Sequence, residues 1–163
     1  MSVSQISETL FILTIPFFLR RFGIKKVIIF SMIAWVLRFS LFAYGNPGNL
    51  LWMIILSCII YGMAFDFFNI SSSLYIETQS PPASRASAQG LFMMMANGLG
   101  AFLGSRISGI IIDNYFTLRP GKFNWHGIWL TFAAYSFVVA LLFALFFRYD
   151  HNPTDMEVKA IHT

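Results

Sequence analysis

An acidic residue inside an apolar segment is the clearest candidate for chemistry in this sequence. Asp66 lies in a stretch from about residue 50 to residue 75 that is otherwise apolar and long enough to cross a bilayer. A carboxylate in mid-membrane costs about 2.5–3.5 kcal/mol on insertion scales, so Asp66 is expected to face protein or water. Gly62, Asn69 and Ser73 share its helical face. Such a polar row either serves a function or joins two helices structurally.

A second group of residues can bind an uncharged solute. Tyr61 and Phe65 are four residues apart beside the polar row, where both rings can cover a flat ligand. Four amide or carboxylate side chains can form hydrogen bonds with the hydroxyls and ring nitrogens of such a solute. They are those of Gln5, Glu8, Asp66 and Asn69. The set favours an uncharged, hydroxylated, partly aromatic solute.

The elements that carry these residues are membrane helices. Of the 163 residues, 57% are hydrophobic and only 11% are charged, whereas a soluble domain has about 25% charged residues. The predicted fold is therefore an all-α integral membrane protein. Its membrane domain spans residues 1–148 and has five helices, at about residues 4–19, 27–44, 50–75, 88–113 and 128–147. Residues 149–163 form a polar tail.

The positions of the basic residues predict the orientation in the membrane. Seven lie in segments assigned to the cytoplasm, namely Arg20, Arg21, Lys25, Lys26, Arg85, Arg148 and Lys159. Only Arg119 and Lys122 lie in segments assigned to the outside. Because cytoplasmic loops carry the excess of Lys and Arg, five helices give an outside N-terminus and a cytoplasmic C-terminus. The net charge of +4 therefore needs no nucleic-acid partner.

Two further features predict contacts between helices. Gly100, Gly104 and Ser108 form a small-residue stripe that is expected to pack closely against a neighbouring helix. Arg38 shares a helical face with Trp35, which allows a cation–π contact. We favour a second interpretation, in which Arg38 is the structural partner of a buried carboxylate.

The sequence offers no set of residues for catalysis or for holding a cofactor. It contains no nucleophile–base pair, metal-ligand cluster, phosphate-binding loop or haem ligand set. The single cysteine, Cys58, lies in an apolar helix and cannot form an intramolecular disulfide. We predict no enzyme activity, no cofactor and no metal.

Four segments resemble the C-terminal half of the bacterial nucleoside:proton symporters, a family of the major facilitator superfamily. They are SQISE (4–8), IPFFLRRFGIKK (15–26), YGMAFDFFNIS (61–71) and AQGLFMMMANGLGAFLG (88–104). The resemblance runs along essentially the whole chain. It implies that the five helices are helices eight to twelve of a twelve-helix transporter in the inner membrane. A chain without the first seven helices is expected to be a fragment that is inactive alone.

The same resemblance implies roles for individual residues. Five match positions that line the family's nucleoside site, and these are Gln5, Glu8, Tyr61, Phe65 and Asp66. Glu8 and Asp66 are the acidic members, candidates for ribose binding and for proton coupling. The implied partners are a nucleoside, protons, the lipid bilayer and the N-terminal half of the transporter.

The alternative function is that of a membrane interaction or assembly subunit. In that case the ionisable residues inside the membrane, Glu8, Arg38, Asp66 and Arg106, only pair with one another. For a transporter, the first and third predicted helices should instead face each other or the same cavity. Glu8 and Asp66 should then lie on the open side, with the last helix at the periphery.

Overall fold

Helices account for most of the chain in the computed structural model, which describes residues 2–45, 48–119 and 122–147. The helices are α1 (Ser2–Tyr44), α2 (Leu51–Gln79), α3 (Pro82–Phe116) and α4 (Trp125–Phe146). All four are long and apolar enough to cross a membrane. Two short antiparallel strands connect α3 to α4, β1 (Thr117–Arg119) and β2 (Lys122–Phe123). The helical fold is thus confirmed, but the predicted all-α class omitted this hairpin.

Gly23 breaks α1 into two segments. Its φ of 79° and ψ of 164° lie outside the helical region, in a conformation that a residue with a Cβ atom rarely adopts. Helical geometry continues up to residue 22 and resumes at residue 24. The predicted loop at residues 20–26 is therefore wrong, because one glycine makes the whole turn. We call residues 2–22 and 24–44 the first and second segments of α1.

The buried core lies where both segments of α1 meet α2. Its members are Ile15, Leu19, Ile24, Val27, Ile28 and Phe67. Phe67 on α2 is 1% exposed. Its ring centroid lies 5.2 Å from that of Phe18 and 6.3 Å from that of Phe11. In a bilayer, where lipid tails are as apolar as these side chains, close van der Waals packing holds such helices together.

Helix α3 has no fully buried residue among those described, and its geometry is mixed. It starts with the 3-10 turn Pro82–Ser84, and it contains the π-helical stretches Met94–Gly100 and Ile112–Phe116. Only Ser80 and Pro81 separate it from α2, so the residues between the predicted helices at 50–75 and 88–113 are largely helical. The Ser73 hydroxyl and the Gln89 side-chain oxygen lie 2.8 Å apart, and Gln89 Nε2 donates to the Ser73 carbonyl at 2.8 Å.

The small-residue stripe of α3 meets nothing in the described part of the chain. A Cβ atom built on Gly104 would have no neighbouring atom within 4 Å. Gly100 would meet only the backbone oxygen of Met95, on the same helix. The described residues thus supply no packing partner for Gly100 or Gly104, and the predicted packing of the stripe against a neighbouring helix stays a prediction.

Helix α4 packs against the second segment of α1, and aromatic rings form the contact. The Trp129 ring stacks on Phe42, with centroids 5.0 Å apart, and on Phe39 at 6.1 Å. His126 Nδ1 lies 2.7 Å from the carbonyl oxygen of Ala43. Helix α4 does not separate the first segment of α1 from α2, as expected for a peripheral helix.

Three predicted features fall on residues that the structure does not describe. They are the polar tail at residues 149–163 and two turns that the Pro and Gly residues of the sequence predict, at Asn46-Pro47 and at Pro120-Gly121.

Candidate functional site

Helix α2 places Asp66 on a buried face against the first segment of α1. Asp66 is 8% exposed, and Gly62, one helical turn before it, is also buried. The Oδ2 atom of Asp66 is buried and has no hydrogen-bond partner in the described residues. An unpartnered buried carboxylate oxygen is costly, so this group needs a proton, a water or a ligand atom.

Glu8 lies beside this carboxylate because the two helices approach closely at Gly62. A Cβ atom on Gly62 would lie 2.6 Å from Ser7 Oγ and 2.8 Å from the backbone nitrogen of Glu8. Only a residue without a side chain allows this approach. Glu8 is half-buried, and its carboxyl group acts electrostatically on Asp66. Glu8 thus lies at the helix contact one turn from Asp66, and the two residues form a candidate acidic pair.

Tyr61 and Phe65 form an aromatic pair on the neighbouring face of α2. Their ring centroids are 5.7 Å apart and the ring planes are inclined by 33°. Phe65 is 40% exposed, whereas Tyr61 is half-buried. An exposed ring beside a fixed one provides a surface on which a planar ligand can stack.

Arg38 joins this aromatic pair from the second segment of α1. Its guanidinium carbon lies 4.1 Å from the Tyr61 ring centroid and 4.9 Å from that of Trp35. Among the residues described, the only ion pair joins Glu77 and Arg85, at 3.9 Å. The favoured interpretation of Arg38 as a partner for a buried carboxylate is therefore wrong. The cation–π alternative is correct, and such contacts contribute about 0.5–2 kcal/mol each.

The remaining predicted site residues make only local contacts. Gln5 is exposed, and its backbone oxygen accepts a hydrogen bond from the Thr9 hydroxyl at 3.1 Å. Asn69 Nδ2 donates to the backbone oxygen of Phe65 at 2.9 Å, so its amide group is held against its own helix. The structure therefore brings together Glu8 with Asp66, and Tyr61 with Phe65. Asn69 contacts Phe65 through that backbone oxygen, and Gln5 lies on the same helix as Glu8.

A groove next to the site is apolar, and none of the predicted site residues lines it. It has a volume of about 410 Å³ and lies between the first segment of α1 and α2. Its lining consists of Ile6, Ser7, Leu10, Phe11, Thr14 and Ile59. The candidate acidic and aromatic pairs are not among the residues that line this groove.

The fold and the site define a multi-pass membrane protein that presents a buried acidic pair and an aromatic pair from its helices. The sequence matches the Nucleoside H+ symporter family over residues 1–152. The chain belongs to this family, which confirms the resemblance found in the sequence.

Curated relatives and a solved structure agree with this assignment. The chain is 55% identical to the nucleoside permease NupG of Escherichia coli over 93% of its own length and 36% of the permease. It is 51% identical to the xanthosine permease of E. coli over 99% of this chain and 38% of that protein. A crystal structure of the nucleoside transporter NupG matches 92% of this chain and 37% of that one, with 54% identity and a TM-score of 0.83. The chain therefore spans little more than a third of these relatives.

Proposed function

We propose that this chain forms the C-terminal part of a proton-coupled nucleoside transporter in the bacterial inner membrane. Its described helices count as five spans, because Gly23 divides α1 into two segments that are each long enough to cross a bilayer. We assign them as helices eight to twelve of a twelve-helix major facilitator transporter. The distribution of basic residues places the C-terminus in the cytoplasm.

The buried Asp66 carboxylate is the observation that carries this proposal. One of its oxygens has no partner in the described residues, and the second acidic residue, Glu8, lies close to it. Two neighbouring carboxyl groups retain a proton more readily than one alone, and a cation or a hydrogen-bonding ligand changes that balance. A group with these properties can couple proton movement to substrate binding.

The aromatic and amide residues account for the substrate in this proposal. A nucleoside has a planar base and a ribose with hydroxyl groups. Tyr61 and Phe65 stack on the base, and Glu8 and Asp66 accept hydrogen bonds from the ribose hydroxyls. Gln5 and Asn69 supply amide groups at the edge of the same site. The two relatives, a nucleoside permease and a xanthosine permease of E. coli, support this substrate class.

A second wall completes the site. Transporters of this type bind substrate near the bilayer midplane, between two halves that rock about the site. The described residues supply one wall, and the chain spans 36% of the E. coli nucleoside permease. We place the second wall in the seven helices that precede this part of the transporter. The chain alone is then inactive.

The alternative, a membrane assembly subunit, requires that the intramembrane charges pair with one another. Arg38 stacks on aromatic rings instead, and Arg106 is exposed on α3. Residues 2–45, 48–119 and 122–147 contain one ion pair, Glu77–Arg85. It includes none of these charges. The transporter is the function that these contacts favour.

Uptake by a completed transporter tests the proposal. The chain is joined behind the preceding part of the E. coli nucleoside permease and expressed in cells that lack nucleoside permeases. We expect this fusion to accumulate labelled uridine, while the chain alone matches the empty vector. Uptake by the chain alone would contradict the proposal. A fusion that is folded and inserted in the membrane but transports no nucleoside would contradict it as well.

A further inference from the structure

The Arg38 guanidinium group lies among four aromatic rings. Its central carbon is 4.1 Å from the ring centroid of Tyr61, 4.9 Å from Trp35, 5.5 Å from Phe42 and 5.9 Å from Phe39. All four distances are within the range of about 6 Å at which the negative face of an aromatic ring attracts a cation. Arg38 and Trp35 are two residues through which the second segment of α1 reaches the aromatic pair of α2.

The rings replace the partners that a buried arginine otherwise needs. The Nε atom of Arg38 is buried and has no hydrogen-bond partner in residues 2–45, 48–119 and 122–147. No carboxylate lies within 4.0 Å of its side chain in the same described residues. Of the four rings, that of Tyr61 lies nearest to the Arg38 charge.

Tyr61 is held from more than one direction. The Arg38 cation lies over its ring, and the Trp35 ring meets it at 85°, with centroids 5.6 Å apart. Phe65 packs beside it at 5.7 Å and is 40% exposed. Arg38 and Trp35 therefore both contact the Tyr61 ring in its present orientation.

We propose that Arg38 is a positioning residue that fixes the Tyr61 ring, so that Tyr61 and Phe65 form a preorganised stacking surface for the nucleobase. The proposal rests on the proposed function and assigns Arg38 an indirect part in it. A ring that is already ordered loses no further conformational entropy when the nucleoside binds. Arg38 therefore strengthens nucleoside binding without contacting the substrate.

Nucleoside affinity in the fusion is the first measurement. Arg38→Met keeps a long unbranched side chain but removes the cation. We expect its Kd for uridine to rise about tenfold, which corresponds to about 1.4 kcal/mol, with little change in maximal uptake. Arg38→Lys keeps the charge but loses the planar group that stacks on rings, so its Kd should lie between those of Arg38→Met and the parent.

A double-mutant cycle separates this role from a general effect on folding. Tyr61→Leu removes the ring that Arg38 holds. If Arg38 acts through Tyr61, adding Arg38→Met to Tyr61→Leu should change the Kd little further, because residues that act together are non-additive. Additive losses would overturn the proposal. Arg21→Met is the matched control, since it removes a cation 5.7 Å and 6.0 Å from the rings of Phe22 and Phe17, away from Tyr61. Its Kd should equal that of the parent.

A measurement without nucleoside tests the contact itself. A 3-fluorotyrosine placed at position 61 reports the surroundings and motion of that ring by fluorine NMR. We expect Arg38→Met to shift and narrow its resonance, and Arg21→Met to leave it unchanged. An unchanged resonance in Arg38→Met would overturn the positioning role. If only the proposed transport function is wrong, the parent binds no nucleoside, but the resonance still changes in Arg38→Met. Failure of the transport function and failure of the positioning role are therefore distinguishable.

Discussion

Replacing Asp66 with Asn is expected to abolish proton-driven accumulation of nucleoside by the fusion. An amide keeps the size and hydrogen-bonding capacity of the carboxyl group, but it cannot bind and release a proton. Asp66 is 8% exposed, and one of its carboxylate oxygens has no partner among the residues described. Uptake of labelled uridine is measured with and without an imposed pH gradient. We expect binding to weaken and the gradient to have no effect.

Two further variants define what the loss of Asp66 means. Asp66→Glu keeps a titratable group and should retain part of the gradient-driven uptake. Asp113→Asn makes the same chemical change at an exposed position and should accumulate uridine normally. If Asp66→Asn still concentrates uridine against a gradient, Asp66 is not required for coupling, and Glu8 becomes the better candidate.

Replacing Gly62 with Leu should cause the largest loss of stability in the chain. Even a Cβ atom would lie 2.6 Å from Ser7 Oγ and 2.8 Å from the backbone nitrogen of Glu8, and backbone cannot move aside as a side chain can. The first segment of α1 must then separate from α2. Overpacking of this kind costs about 1–3 kcal/mol or more. Thermal unfolding of the chain in detergent measures the loss of stability.

Gly90→Leu is the matched control for this substitution. Gly90 is also a helical glycine, but a Cβ atom there would have no neighbour within 4 Å. We expect Gly90→Leu to leave the unfolding temperature unchanged or to raise it slightly, because Leu favours a helix more than Gly does. Equal unfolding temperatures for both variants would show that α1 and α2 do not meet closely at Gly62.

The membrane helices and the acidic site were predictable because their signals are local. An apolar run of about 20 residues needs no tertiary information to be recognised as a span. The position of Asp66 inside such a run, with Gly62 one turn before it, likewise pointed to a buried polar face. Helical spacing also predicted the adjacency of Tyr61 and Phe65, which the 5.7 Å distance between their rings confirms.

Other features depend on contacts between distant parts of the chain. The spacing of Trp35 and Arg38 allowed a cation–π contact, but Tyr61 lies on another helix and could not be assigned to it from sequence. The turn at Gly23 was expected to be longer, because four basic residues around it resemble a polar loop. The small-residue stripe of α3 predicted close packing, yet Gly104 faces open space in the described chain. A small-residue motif allows close packing, but the contact forms only where a second helix faces the motif.

A pH measurement during nucleoside uptake tests directly whether proton entry is coupled to nucleoside entry. Cells that express the fusion are suspended in weakly buffered medium, and uridine is added without an imposed gradient. If the acidic pair on α1 and α2 couples the two fluxes, protons enter with the nucleoside, and the medium becomes more alkaline. The Asp66→Asn variant should give no pH change. Uridine uptake by the parent fusion without alkalinisation would contradict the account.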